Sequence, residues 1–487
     1  MTIHFGTDGW RAVISDTFTY GNLRLVSQAI ADAISSGDWL SGNGGATDAD
    51  PRRMIVGFDT RFLSDRYATE VARVLAANGF TVHLTYADAP TPAVSFAVKH
   101  MRAAGGVMIT ASHNAPRYNG VKLKAAYGGS ALPEQCRRVE VYLNDNEARA
   151  RGPNLMDFDQ ATAAKLIHRF NPVTAYYDHL RSLISLDAIA SYPDRLRVVV
   201  DSMYGSGRGY IKGFLQGTGC EVAEIRGEMN PGFGGVHPEP IAKYLQATAA
   251  AISAGHGDLG LVTDGDADRA GAMDGRGNFV DPHKIFALAL KYLVEVRGWR
   301  GAVVRTVSTT RMIDRLAARY GLPLHETPVG FNHIADHMLA EDVLIGGEES
   351  GGISINGHIP EGDGILMGLL LLEIVAASRV TLSELVEDLL KDVGPAFYAR
   401  KDLRLPRPVA KAEVTRRLTE GAPAEIDGLR VAKVESLDGV KYLMADDSWL
   451  LIRPSGTEPV LRVYAEAREA KMVESLLGFG QKIAQAS

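Results

Sequence analysis

Cysteine is nearly absent from the 487-residue chain: only Cys136 and Cys220 occur, far apart. Two distant thiols make neither a disulfide framework nor a cysteine zinc site. Long apolar runs are also missing. The most apolar window, GILMGLLLLEIVAA (Gly364 to Ala377), contains Glu373 and is too short to span a bilayer; it reads as a core helix. The opening residues, MTIHFGTDGWRA, have neither a basic start nor an apolar stretch, which predicts no signal peptide, a cytoplasmic location and no membrane partner. No G-x-x-x-x-G-K-[ST] loop is present, which argues against a kinase of that class. A net charge of −6 lacks the basic excess that nucleic acid requires. Small anionic substrates stay open, because local basic clusters set their affinity.

What is there is ordinary in amount and regular in order. With 46% hydrophobic residues the chain can bury several cores, and its length implies about three or four domains. Strand-like runs alternate with helix-like ones: RMIVGFD (Arg53 to Asp59), SDRYATEVARVLAANG (Ser64 to Gly79), FTVHLT (Phe80 to Thr85). Val71, Val74 and Leu75 share a helix face, and Gly79 supplies a stop. The rhythm returns at LRVVVD, LGLVTD and GAVVRTV, an α/β pattern without an evident sequence repeat. A boundary is expected where a helix restarts in HRFNPVTAYYDHL (His168 to Leu180), after an irregular stretch around Asn144 to Asp159. A second is expected in the Pro-rich connector Asp392 to Ala410, and a weaker one near Asp281. Ser36 to Arg53 reads as a flexible surface loop.

Five segments carry chemistry. GVMITASHNAPRYNGVKLK (Gly106 to Lys124) ends a buried strand in Ser112 and His113, with Lys122 ten residues after the serine. GLVTDGDADRAG sets Asp264, Asp266 and Asp268 at alternate positions beyond a strand; crowded carboxylates suit a hard cation such as Mg²⁺. An EF-hand loop fails, since Arg269 and Gly275 stand where it needs Gly and Glu. An aspartyl-phosphate enzyme with Asp264 as nucleophile is a competitor. GHGDLG (Gly255 to Gly260) matches the dinucleotide fingerprint in letters only, because it precedes a strand instead of following one. In IGGEESGGISINGHIPEGDG, glycines flank Glu348, Glu349 and Ser350, acceptors suited to sugar hydroxyls. In LLIRPSGTEPVLRVYAEA, Arg453, Ser455, Gly456 and Thr457 offer the donors of an anion cradle. Arg11, near a Gly-rich turn, is a candidate anion contact.

Four of these motifs, TASHNAPRYNGVK, DGDADR, GEESGG and RPSGTEP, follow the order seen in the α-D-phosphohexomutase superfamily, and the chain resembles its bacterial phosphoglucomutases over essentially its whole length. The resemblance implies an α/β fold with four domains around a central cleft. Three would be related mixed α/β sandwich domains, at 1–171, 172–281 and 282–395. The fourth, at 396–487, would be a smaller C-terminal α+β domain like the TATA-box-binding protein. It implies a phosphorylated Ser112, with Mg²⁺ on Asp264, Asp266, Asp268 and a phosphoserine oxygen. Arg269 would orient the phosphoryl group, His113, Lys122 and Arg11 would be catalytic, Glu348 and Ser350 would read the sugar, and Arg453, Ser455, Gly456 and Thr457 would hold its phosphate. The implied activity is a phosphoglucomutase interconverting glucose 1-phosphate and glucose 6-phosphate, with glucose 1,6-bisphosphate as activator and intermediate. A phosphomannomutase is an alternative within the family, and a non-catalytic sugar-phosphate sensor one outside it. The family's usual lysine in TPVGFNHIADHM is replaced by Asn332, which adds a glucose 1,6-bisphosphate synthase using fructose 1,6-bisphosphate. A phosphosugar is the expected partner, with a monomer or homodimer as the assembly.

Overall fold

Buried runs of Val, Ile and Leu followed by amphipathic helices build the same unit three times. In the first, the strand Asp50–Phe58 has parallel neighbours on both sides, Thr81–Thr85 and Ala103–Ile109, and Tyr118–Ala125 then runs antiparallel to the last. The second repeats this with Arg197–Asp201, flanked by Glu221–Ile225 and Leu259–Thr263, then antiparallel Ala270–Met273. The third uses Ala302–Thr306, flanked by Leu324–Thr327 and Val343–Gly347, then antiparallel Ile353–Ile355. What recurs is topology and hydrophobic pattern, not residue identity, so no sequence repeat is visible. In each unit the turn into the antiparallel strand lies at the carboxyl end of the parallel strands, where α/β sheets bind ligands. Those turns hold residues 110–117, 264–269 and 348–352. The computed structural model describes the chain apart from residues 1–2, 7–8, 38, 40–47, 406–409, 455–459 and 486–487 and the side chains of 484–485.

Edge strands complete the first sheet. Trp10–Val13 pairs antiparallel with Tyr118–Ala125, placing Arg11 opposite Gly120, and Ile167–Phe170 closes the other edge. The second and third sheets share one large hydrophobic cluster. Through it runs the helix Gly364–Ser378, buried from Gly364 to Ala376. Such a helix is apolar all round because it is covered on every side. Its one acid, Glu373, is tolerated because Tyr292, Arg297 and the Ser185 amide donate to its carboxylate. Among the described residues no single helix is long and apolar enough to cross a membrane.

The C-terminal sheet is wholly antiparallel, six strands with Phe397–Arg404 at one edge. The helices Lys411–Glu420 and Ala470–Gln485 cover one face through Val414, Leu418, Val473 and Leu476. Trp449, Leu451 and Tyr464 on the other face pack with Val307 and Val329 of the third unit. Buried Lys441 fastens that contact, donating to Val307 O at 2.9 Å and Glu326 Oε1 at 3.0 Å.

Three local expectations change. The Pro-rich connector contains the strand Phe397–Arg404, because its alternating side chains pair with Val460–Ala467. The stretch expected to be irregular begins inside the helix Pro133–Ala148 and ends in the helix Phe158–Ala163, and His168 sits in a strand, the next helix being Val173–Leu183. The expected surface loop holds buried Trp39, whose indole N–H donates to Ala104 O at 2.9 Å. Asp50–Arg53 within it is strand, and residues 38 and 40–47 lie outside the described residues.

Candidate active site

The strand Ala103–Ile109 delivers Ser112 to a turn in which its φ is 50°, a left-handed backbone that costs a non-glycine residue about 1–2 kcal/mol. The turn keeps this shape because neighbouring groups fix it. The Ser112 amide donates to Thr110 Oγ1 at 2.8 Å, and Thr110 donates to Asp59 Oδ2 at 2.7 Å. Arg61 then grips the whole turn: its guanidinium donates to the carbonyls of Ser112 (2.5 Å), Asn114 (2.7 Å), Ala115 (3.0 Å) and Tyr118 (3.0 Å). Asp59, 3.1 Å from Arg61 Nε, balances its charge in an environment with no solvent exposure. Burial pushes the Asp59 carboxyl up to about 6, against the pull of Arg61. Phe233, from the second unit, covers the guanidinium at 4.9 Å.

The second turn meets the first at the serine. Ser112 Oγ donates to Asp264 Oδ2 at 3.0 Å and lies 3.2 Å from His113 Nδ1. Lys122 Nζ, on the antiparallel strand of the first unit, sits 2.9 Å from Asp266 Oδ2 and 2.6 Å from Asp268 Oδ2. Thr91, at the start of the helix Thr91–His100, donates its hydroxyl to Asp266 Oδ2 (2.6 Å) and its amide to Asp266 O (2.8 Å). Each of the three equivalent turns has one residue in the left-handed region: Ser112, Ala267 and Gly351.

Charge decides what the cluster can hold. Oxygens of Asp264, Asp266 and Asp268 lie within 4.8 Å of one another. Burial raises the Asp264 carboxyl well above its usual range, and Asp268 and Asp266 add to the rise. Asp266 Oδ1 is buried without a hydrogen-bond partner, although a buried carboxylate oxygen ordinarily finds one. Crowded hard oxygens with an unsatisfied member fit a divalent cation such as Mg²⁺. His113 is held well below the usual histidine range, by burial first and then by Arg269, Arg11, Arg400 and Lys122. Its ring is therefore neutral at physiological pH.

The other expected residues join from further out. Arg269 donates its amide to Asp264 Oδ1 at 3.3 Å, with its Nε 3.8 Å from Asp268 Oδ1. Arg11 Nη1 donates to Asn114 Oδ1 at 3.1 Å. The third turn packs on the second through backbone: Ala270 N donates to Gly351 O at 3.1 Å. Gly330 N donates to Glu348 Oε1 at 2.9 Å, and Ser350 lies on the same turn, half-buried. Arg453 donates to Asp438 Oδ2 at 2.6 Å, and that carboxylate also accepts from Val329 N at 3.1 Å. Arg453 thus reaches the turn 348–352 through Asp438 and the segment 329–330. Ser455, Gly456 and Thr457 lie outside the described residues. Asn332 is buried on the first turn of the helix Phe331–Ala340, its Oδ1 without a hydrogen-bond partner.

Sequence reasoning passed over Asp59, Arg61, Thr91 and Arg400. The first two stand at the end of a strand it identified, and an acid followed two residues on by Arg was the available signal. Thr91 gave none, since its partner is 175 positions away. Arg400, 3.5 Å from Glu349 Oε1, was hidden in the supposed connector.

The match to known proteins is distributed over all four units. The phosphoglucomutase/phosphomannomutase models for α/β/α domains I, II and III match residues 2–150, 174–277 and 281–393, and the C-terminal domain model matches 411–478. A phosphoglucomutase/phosphomannomutase of Thermococcus kodakarensis is 30% identical, covering 88% of this chain and 89% of its own. A phosphoglucosamine mutase of Frankia alni is 32% identical, covering 96% and 94%. Among solved structures, a Thermus thermophilus protein provisionally named a phosphomannomutase superposes with a TM-score of 0.83 at 35% identity, covering 100% of this chain and 99% of that one. With matching domains in matching order and relatives aligned nearly end to end, this chain belongs to the phosphoglucomutase/phosphomannomutase family, whose members are phosphohexomutases of the isomerase class.

Proposed function

We propose that the protein is a phosphoglucomutase, interconverting α-D-glucose 1-phosphate and glucose 6-phosphate through a phosphorylated Ser112. The observation that carries this reading is Ser112 Oγ, 3.0 Å from Asp264 Oδ2 and beside the three aspartates and Lys122. Asp264, Asp266 and Asp268 would hold Mg²⁺ together with an oxygen of the phosphoserine; the ion would draw negative charge from the transferring phosphoryl group.

Phosphoryl transfer depends mainly on positioning and charge stabilisation. Glu348 and Ser350 orient the hexose by accepting from its hydroxyls. Arg453 holds the non-reacting phosphate, with Ser455, Gly456 and Thr457 assigned to the same cradle by their motif. The sugar hydroxyl attacks phosphorus, the P–Oγ bond of Ser112 breaks, and a hexose bisphosphate forms. Neutral His113 accepts the hydroxyl proton and passes it to the departing Ser112 Oγ, 3.2 Å from its Nδ1, while the Lys122 ammonium and the Arg269 and Arg11 guanidinium groups face the charge that spreads over the phosphoryl oxygens. The bisphosphate then turns over, its second phosphoryl group passes to Ser112 Oγ, and the isomeric monophosphate leaves. Glucose 1,6-bisphosphate would start the cycle by phosphorylating unmodified enzyme.

Turnover of glucose 1-phosphate should vanish in Ser112→Ala, along with the one-phosphate mass increment that the wild type carries after incubation with glucose 1,6-bisphosphate. Wild-type turnover in that variant would remove the serine from the mechanism and favour Asp264 as nucleophile. Buried Asn332, with an unpartnered oxygen at the position where the motif resemblance implies a lysine, supports a second reading as a bisphosphate synthase. Accumulation of glucose 1,6-bisphosphate from fructose 1,6-bisphosphate and glucose 1-phosphate would favour it.

A further inference from the structure

A second group of ligating side chains stands apart from the aspartates. His325 lies on the strand Leu324–Thr327; His337 lies on the last turn of the helix Phe331–Ala340, and Glu341 caps that helix. The i, i+4 spacing sets His337 and Glu341 on one helix face, and the strand brings His325 beside them. The two imidazoles stack, centroids 4.5 Å apart and planes 23° apart. His325 Nε2 is 3.2 Å from Glu341 Oε1, and His337 Nδ1 is 2.7 Å from the same oxygen. Two ring nitrogens from different elements therefore converge on one carboxylate oxygen, and all three donor atoms lie within 4.8 Å. The side chains are 36%, 31% and 37% exposed, so an ion can reach them from solvent.

We infer that His325, His337 and Glu341 form a binding site for a divalent transition-metal ion of the zinc class, distinct from the aspartate cluster. Two imidazoles and a carboxylate favour Zn²⁺, Co²⁺ or Ni²⁺ over Mg²⁺, which prefers oxygen donors alone. Ligands about 2.0–2.2 Å from a tetrahedral zinc lie roughly 3.3 Å apart; the His325–Glu341 separation of 3.2 Å has that spacing, while His337 and Glu341, hydrogen-bonded at 2.7 Å, would move apart as the ion replaces their proton. The negative end of the helix dipole faces the same spot, favouring a cation there. Three protein ligands leave a fourth position to water. Bound metal would brace strand against helix opposite the connecting segment, where Val329 N and Gly330 N donate to Asp438 and Glu348.

The test uses full-length protein stripped with chelator, then saturated with Mg²⁺ to occupy the aspartates, and titrated with Zn²⁺ by calorimetry. Wild type should take up about one equivalent that the His325→Ala/His337→Ala double variant does not, and Glu341→Gln should bind it more weakly. Zn²⁺ should raise the melting temperature of wild type most, of Glu341→Gln less and of the double variant not at all, with all three proteins giving matching circular dichroism in chelator. If the double variant misfolds, each single His→Gln change is measured in its place, and Co²⁺ visible absorption reports nitrogen ligation. Equal Zn²⁺ stoichiometry and affinity in wild type and variants, or wild-type binding only at millimolar Zn²⁺, would overturn the assignment.

Discussion

Ser112 illustrates how one residue is held in a costly conformation by its neighbours. Its left-handed backbone is fixed by Thr110, Asp59 and Arg61, and this aims Oγ at Asp264. Glu348 is the second residue whose state matters. Burial pushes its carboxyl up to about 7, Glu349 adds to the rise, and Arg269 and the Gly330 amide oppose it. Below that pH the group is protonated and, in the proposed sugar-reading role, would offer hydroxyls a weaker acceptor; above it the carboxylate is restored. KM for glucose 1-phosphate should therefore fall as pH rises through about 7. Glu348→Gln should raise KM and flatten that step. A step of equal size in the variant would assign it to another group.

At the scale of elements, the three equivalent turns work because glycine and arginine manage close backbone contact. Arg61 donates to three carbonyls of the serine turn and to that of Tyr118 just beyond it, a fan that the flexible ammonium of lysine cannot reproduce. Arg61→Lys keeps the charge beside Asp59 and should lower kcat roughly 10–100-fold with little change in KM, the scale of a slight misplacement of a reacting group. An unchanged kcat would make Arg61 structural only. The glycines of EGDG let the third unit lie against the aspartate turn. A Cβ on Gly364 would come 2.2 Å from Arg269 O, and one on Gly362 would come 2.9 Å from Asp268 O. Gly364→Ala should cost about 1–3 kcal/mol, as overpacking does, and should also reduce kcat by displacing Arg269. Thermal melts and turnover measure the two effects separately.

At the scale of the whole molecule, contacts between units decide whether the site is assembled. The first and second units join at Thr91–Asp266 and Lys122–Asp268, the second and third at Ala270–Gly351, and the third and fourth at Val329–Asp438 and Glu326–Lys441. Asp438 also holds Arg453, so it would tie the proposed phosphate cradle to the proposed sugar-reading turn. Asp438→Asn should raise KM for sugar phosphate roughly tenfold, the weight of one charge-assisted hydrogen bond, with kcat much less affected. An equal fall in kcat and kcat/KM, with KM unchanged, would mean that Asp438 acts in the transition state.

The sequence by itself determined the alternation of strands and helices, the buried helix Gly364–Ser378 and the motifs that hold Ser112, the aspartates and Glu348. Those follow from local hydrophobic period and from turn chemistry concentrated in short stretches. Only the tertiary structure decided that the three turns are equivalent, that Thr91 and Lys122 meet Asp266, and that Arg400 belongs to a strand. It also brought together His325, His337 and Glu341, which the sequence spreads over strand and helix without a motif. Pairings across 100 or more positions leave no trace in local pattern, because each partner is chosen by which surfaces the four units bury against one another.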